Sequence, residues 1–376
     1  MTNKDYTNII DYLNWRGDLS FDIDPFGDID ALILARFSYL DFGDILNQSN
    51  ISVAQAHELY FKDRLSHLKY DHIDEELFTL MAQSKRFKDL KLSNYVSTNI
   101  EKELKQFSAI TISLNNTCHY LSFRGTDNTV NGWKEDLLMT FDDTIPSQVD
   151  ALDYLEKSAA RLTGDFYLGG HSKGGNLALY ASLFTNEAIN ERIINAYSFD
   201  GPGIHKHLLE GLNDSLFKKI KTFIPQASFF GIMLDHKEQL ITVKSNAVSV
   251  MQHNIYSWSV IGKDFIKEEI SPSSLVFENT FHDYLSKLNA QEREKVCNIV
   301  FDAIDKCDAI TTEDIGKHML TNLFKVFQHF NSLDEADAKL FKEAITVLGS
   351  GFKDGVIEEV YDSFKDGLNF LKSKNK

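Results

Sequence analysis

A serine is set among small residues in Phe166-Tyr167-Leu168-Gly169-Gly170-His171-Ser172-Lys173-Gly174-Gly175-Asn176. A serine hydroxyl becomes a useful nucleophile only when a histidine takes its proton and a carboxylate holds that imidazole in the right tautomer. The Gly-His-Ser-Lys-Gly run fits the G-x-S-x-G elbow, in which the serine stands on a sharp turn between a strand and a helix. Phe166–Leu168 reads as the strand and Leu177–Phe184 as part of the helix. Small neighbours are required, because a Cβ at position 170 or 174 would collide with the adjoining elements.

With Ser172 as nucleophile, the downstream sequence must supply an acid and then a base. Asp200 is the best-placed acid, at the end of a strand over 193–199, since loops at that edge of a parallel sheet assemble sites. It also opens the turn Gly201-Pro202-Gly203, a purely structural role. Asp235, before His236, is the alternative acid. For the base, His253 in Gln252-His253-Asn254-Ile255-Tyr256-Ser257-Trp258 lies beyond the last predicted strand, where a late loop can reach the serine. His236, His205 and His207 are weaker rivals, and His171 is expected to point down and away. Two backbone N–H groups must face the developing oxyanion. Lys173, the residue after the serine, offers one, and Thr126 in Arg124-Gly125-Thr126-Asp127 offers the other. The Lys173 side chain is expected to point away from Ser172, which argues against a Ser–Lys dyad.

These residues need a scaffold. Phe107–Leu114 and His119–Phe123 read as strands joined by the polar turn Asn115-Asn116-Thr117. A helix around 148–162 precedes the elbow strand, and Ile193–Phe199, Ile220–Ile224 and Leu240–Val243 are further strands. Strands alternating with helices imply a mostly parallel sheet covered on both faces. The leading stretch reads as mostly helical: Ile29, Leu32, Ile33, Phe37 and Leu40 recur at helical spacing, and similar patterns follow at about 52–64 and 74–90. Beyond about residue 275 the strand signal ends. Val296, Ile299, Val300, Ala303 and Ile304 form one helical stripe, and Leu320, Leu323, Phe324 and Phe327 another. The expected division is a helical region over 1–100, a sheet-bearing core over 101–270 and a helical extension over 271–376.

A chain of 376 residues, 43% hydrophobic with 28 phenylalanines, can bury a sizeable core. Its net charge of −16, with no cluster of Lys and Arg, argues against a nucleic-acid partner. The first residues lack a secretion signal, and no run approaches the roughly 18 apolar residues of a membrane span. A cytoplasmic location is expected, with contact to a membrane surface and the oligomeric state left open. Three cysteines, Cys118, Cys297 and Cys307, are too few and scattered for a disulfide framework or a zinc ribbon. Asp22-Ile23-Asp24-Pro25-Phe26-Gly27 begins like a calcium loop, but Phe26 and Ile33 stand where oxygen ligands are needed. His205-Lys206-His207 reads as a solvated helix start, so neither a metal nor a cofactor is expected.

Leu121-Ser122-Phe123-Arg124-Gly125-Thr126 with Trp133-Lys134-Glu135-Asp136-Leu137 resembles a block of the class 3 (fungal-type) lipases, and the elbow and Tyr197–Gly203 resemble two more. The combination with Gln252–Trp258 and with Asn14-Trp15-Arg16-Gly17-Asp18-Leu19 is closer still to an uncharacterised bacterial family of α/β-hydrolase-like proteins related to those lipases. The likeness runs over about residues 8–265. It implies an α/β-hydrolase fold and a serine hydrolase cleaving carboxylic esters or lipid-like acyl substrates through an acyl-enzyme on Ser172. It further implies His253 as base and Thr126 with Lys173 as oxyanion donors. The lipases place their acid after the strand corresponding to Ile220–Ile224, where this chain has Ser228, so either the acid comes from Asp200 or Asp235 or the triad is incomplete. In those lipases the segment after the Arg-Gly-Thr block is a lid. Asn128–Phe141 has the apolar surface for that role, and equally for a plain core helix. The rival reading is a catalytically inactive hydrolase-like binding or regulatory protein.

Overall fold

The computed structural model describes residues 6–46, 50–62, 72–127, 129–306, 325–326, 328–330 and 332–350. Four helices lead: α1 (Ile9–Arg16), α2 (Asp28–Phe37), α3 (Val53–Lys62) and α4 (His72–Gln83). Asn8 caps α1 by accepting the Ile10 amide, and Asp11 returns a bond to the Asn8 amide, so the first turn leaves few orphan donors. Two strands already fall inside this leading region, β1 (Ile51–Ser52) and β2 (Lys91–Ile100), so the sheet begins before residue 101.

The remaining strands follow the alternation read from the sequence: β3 (Lys105–Asn115), β4 (Cys118–Phe123), β5 (Asp165–His171), β6 (Ile193–Phe199), β7 (Ile220–Pro225) and β8 (Leu240–Val243). Between them run α5 (Val130–Phe141), α6 (Pro146–Arg161), α7 (Lys173–Phe184) and the short α8 (Glu187–Glu191), α9 (Lys206–Leu209) and α10 (Asp214–Phe217). The eight strands lie side by side in chain order. β1 to β4 pair antiparallel, and β4 to β8 pair parallel. A small hairpin of β9 (Val260–Ile261) and β10 (Asp264–Phe265) follows. Then come α11 (Pro272–Lys287), α12 (Ala290–Asp305) and, last among the described residues, a helix over Glu335–Ser350. The second stripe expected in the tail, Leu320, Leu323, Phe324 and Phe327, lies outside the described residues.

Because successive strand residues face opposite sides, the sheet builds two cores. Ile110, Ile112, Tyr120, Tyr197, Phe199 and Phe223 face α1–α4. Ala109, Leu121, Phe123, Phe166, Leu168 and Ala196 face α6 and α7. A third apolar cluster joins Met139, Phe141 and Ile145 to the 229–234 loop, α11, α12 and the last helix. It roofs the C-terminal end of the parallel strands. This is an α/β-hydrolase fold, with strand-end loops gathered at one edge of the sheet. Among the described residues no helix is long and apolar enough to cross a membrane.

Candidate functional site

Ser172 stands between β5 and α7 with φ 58° and ψ −132°, a backbone conformation that L-residues adopt only under constraint. The constraint is visible in the packing. A Cβ on Gly170 would stand 2.3 Å from the Gly174 carbonyl carbon, and one on Gly174 would stand 2.1 Å from the Phe123 carbonyl oxygen. Only glycines let the elbow press this closely against the end of β4. The Ser172 amide donates to Phe199 O at 2.9 Å, which ties the turn to β6.

Asp200 follows β6 directly and is 1% exposed. Its Oδ2 lies 2.6 Å from His253 Nδ1. Its Oδ1 accepts the Ser228 hydroxyl at 2.5 Å and the Gly231 amide at 3.1 Å. The carboxylate is therefore held by two donors from the loop after β7 and faces the imidazole with its free oxygen. Asp235, the other candidate acid, exchanges backbone bonds with Ile204 and makes no contact with His253 among the described residues. The rival histidines are engaged elsewhere: His236 with Glu238 at 2.7 Å, His205 with Met139 O at 3.2 Å, and His207 with Asp143 at 3.0 Å.

The Gln252–Trp258 motif shapes the loop that carries His253. Trp258 Nε1 donates to Gln252 O at 2.8 Å, and Gln252 Oε1 accepts the Ala227 amide at 2.8 Å. Asn254 Oδ1 accepts the Tyr256 amide at 3.1 Å, starting the next tight turn. Phe230 and His171 flank the His253 ring, each with ring centroids 4.4 Å away. The Ser172 Oγ–His253 Nε2 bond that proton transfer needs is not formed among the described residues. In serine hydrolases such bonds often tighten only when substrate is bound.

His171 does not simply point away. Its Nε2 lies 2.9 Å from His253 O, and its Nδ1 lies 2.9 Å from the Tyr39 hydroxyl. A carbonyl can only accept, so the proton sits on Nε2 and Nδ1 accepts from Tyr39. Burial, with His253 and Arg36 nearby, holds the His171 pKa well below its ordinary value, so the ring stays neutral. Arg36 lies 4.2 Å over the Tyr39 ring and pairs bidentately with Asp74 at 2.6 and 2.7 Å. Asp74 also accepts the Tyr256 hydroxyl at 2.6 Å. Sequence reasoning missed this chain because its members are scattered from position 36 to 256.

The Arg124–Thr126 turn abuts the elbow. Thr126 donates its hydroxyl to Asp136 Oδ2 at 2.5 Å. The backbone N–H groups of Thr126 and Lys173 have no acceptor among the described residues. Burial pushes the Asp136 carboxyl up to about 6, against the pull of Lys173 and the Thr126 bond. The Lys173 side chain leads away from Ser172 and ends on Glu135 and Gln106. Asp136 and Glu135 stand in the Trp133–Leu137 block, the one sequence signal that pointed to them. In the candidate lid segment Asn128 lies outside the described residues. Thr129 caps α5, which takes up the remainder and whose Met139 and Phe141 pack in the same cluster as Val296 and Val300 of α12.

Among solved structures, lipase II from Rhizopus niveus is similar at 16% identity, over 51% of this chain and 77% of that one, with a TM-score of 0.35. A Rhizomucor miehei lipase in complex with its propeptide is similar at 13% identity, over 63% and 80%, with a TM-score of 0.35. M37 lipase is similar at 14% identity, over 67% and 78%, with a TM-score of 0.34. A search of curated proteins gave no match. The Mbeg1-like family matches residues 81–302, from the end of α4 into α12 and across every residue of the elbow, the Asp200–His253 pair and the Thr126 turn. That match spans more than half of the chain and agrees with the lipase relationship read from its motifs, and the chain belongs to the Mbeg1-like family.

Proposed function

We propose that this protein is a serine hydrolase that cleaves carboxylic esters through an acyl-enzyme on Ser172. The observation that carries the reading is the 2.6 Å His253 Nδ1–Asp200 Oδ2 pair beside the elbow, with Asp200 buried on the loop after β6 and His253 part-buried on the loop after β8. In this reading His253 takes the Ser172 proton as Oγ attacks the ester carbonyl. Asp200 holds the imidazole and stabilises the imidazolium that forms. The free N–H groups of Thr126 and Lys173 receive the oxyanion. His253 then protonates the leaving alkoxide, and water repeats the cycle to release the acid. No metal or cofactor enters this scheme.

The apolar roof of Phe229, Phe230, Met139 and Phe277 favours an acyl substrate. On this reading the sheet core carries catalysis, α1–α4 support it from below, and α11, α12 and the last helix cover it. The test is intact-mass spectrometry after incubation with a fluorophosphonate, beside Ser172→Ala. One adduct on the wild type, absent from the variant, is expected. No adduct on folded protein would exchange the hydrolase for a binding module built on the same fold.

A further inference from the structure

Lys173 follows the elbow serine, and its ammonium group is almost entirely buried, with 1% of the side chain exposed. Nζ donates to Gln106 O at 2.8 Å, to Gln106 Oε1 at 2.9 Å and to Glu135 Oε2 at 2.8 Å. Glu135 is 0% exposed and is itself saturated. Its Oε2 accepts the Gln106 amide at 2.9 Å, and its Oε1 accepts the Ser147 amide at 3.1 Å and lies 2.6 Å from the Ser147 hydroxyl. One polar knot thus joins the start of α7 to β3, the middle of α5 and the start of α6.

Stability does not account for such a knot. Taking both charges out of water costs several kcal/mol per ion, and well-packed apolar residues of similar volume often serve a fold as well or better. Position does account for it. Lys173 supplies a backbone N–H beside Ser172, while Glu135 immediately precedes Asp136, which holds the Thr126 hydroxyl. The side chain of one oxyanion donor is therefore anchored to the helix that orients the other.

We propose that Lys173 and Glu135 are a positioning pair that sets the spacing of the Thr126 and Lys173 N–H groups, one buried ion pair gauging the width of the oxyanion site. The proposal rests on the serine-hydrolase reading and adds to it a role for both side chains. The same lysine also acts on Asp136, which faces Thr126 from its loop, Lys173 from α7, Glu135 on its own helix, and His253 and Tyr39 across the site. Removing the ammonium leaves the Asp136 carboxyl to be protonated at higher pH, which weakens its hold on Thr126.

The experiment compares wild type, Lys173→Met, Glu135→Gln and the double variant by melting temperature and by kcat and KM for p-nitrophenyl butyrate, with fluorophosphonate labelling alongside. Each single variant strands a buried polar partner and is expected to melt lower. The double variant removes both charges and is expected to regain most of the melting temperature. Its kcat is expected to stay about 10²-fold down, the order of loss that a misplaced donor brings, with KM changed less than about threefold. The acidic limb of its kcat/KM profile should move to higher pH. A double variant with wild-type kcat overturns the positioning pair and leaves the hydrolase reading standing. One that does not fold also overturns it, by showing that the pair serves the fold. A wild type with neither hydrolysis nor adduct overturns both readings.

Discussion

On the side of α1–α4, a continuous polar chain runs from Asp74 through Arg36, Tyr39 and His171 to the carbonyl of His253. On the opposite side, the 229–234 loop, α11 and α12 meet α5 through an apolar cluster, fastened by the Lys134–Asp305 pair in which Asp305 is 62% exposed. Both flank the same strand ends. Hydrogen bonds, which demand a set distance and angle, orient the His253 loop from below. Apolar packing above fixes volume and excludes water, and it tolerates sliding as long as area stays covered. The floor is built for orientation and the roof for enclosure.

Asp200 lies where floor and roof meet, held by the 229–234 loop and Ser228 and bonded to His253, the proposed base. Asp200→Asn is therefore expected to give the largest loss, about 10⁴-fold in kcat with the fold retained, while Asp235→Asn stays within about twofold of wild type. The reverse ranking in steady-state esterase assays would remove Asp200 from its proposed role. Next comes the floor. Arg36→Met leaves Asp74 buried without its cation and should cost about 3–5 kcal/mol in chemical denaturation. A loss no larger than that of a surface substitution would mean that the chain is incidental.

His171 sharpens the contrast through pH. Its pKa lies below the ordinary 6.5 in the folded protein, so as pH falls through about 6.5 the unfolded chain binds a proton that the folded chain refuses. Stability should fall accordingly on the acid side and be unaffected by this group above that window. His171→Gln should flatten the slope on the acid side of about pH 6.5, as read from urea midpoints. An unchanged slope would assign the acid sensitivity elsewhere. The smallest effect belongs to the roof: Asp305→Asn removes a carboxylate that lies mostly in solvent from the buried Lys134, and should change stability by less than about 1 kcal/mol. A larger change would mean that the roof, too, depends on a fixed polar tie.

Much of the architecture was legible because the signal was local. β6, Ile193–Phe199, was readable to the residue, since an apolar run ends at Asp200-Gly201-Pro202-Gly203. β2 was not. Lys91–Ile100 is an antiparallel strand near the sheet edge with mostly half-exposed side chains, and Asn94 breaks its alternation with φ 51°. The candidate acid and base could be named because the elbow demands partners in a set chain order. Lys173–Glu135 could not, because buried lysines are rare enough that no sequence rule expects one, and its partner is 38 positions away. Ser228 was read as the place of a missing aspartate, and it stands there as the donor that holds Asp200 from the neighbouring strand.

The strand order carries one consequence for how the protein is made. Every strand of the large sheet pairs with the strand synthesised just before it, so the sheet can grow by edge addition as the chain emerges, without threading or waiting for a distant partner. Thr126, Ser172, Asp200 and His253 leave the ribosome in that order, after β4, β5, β6 and β8. A nascent chain stopped short of the Gln252–Trp258 loop would hold a folded sheet and an elbow with no base. On the proposed reading, the chemistry of Ser172 waits until position 253 has been made, and α11 and α12 follow after it.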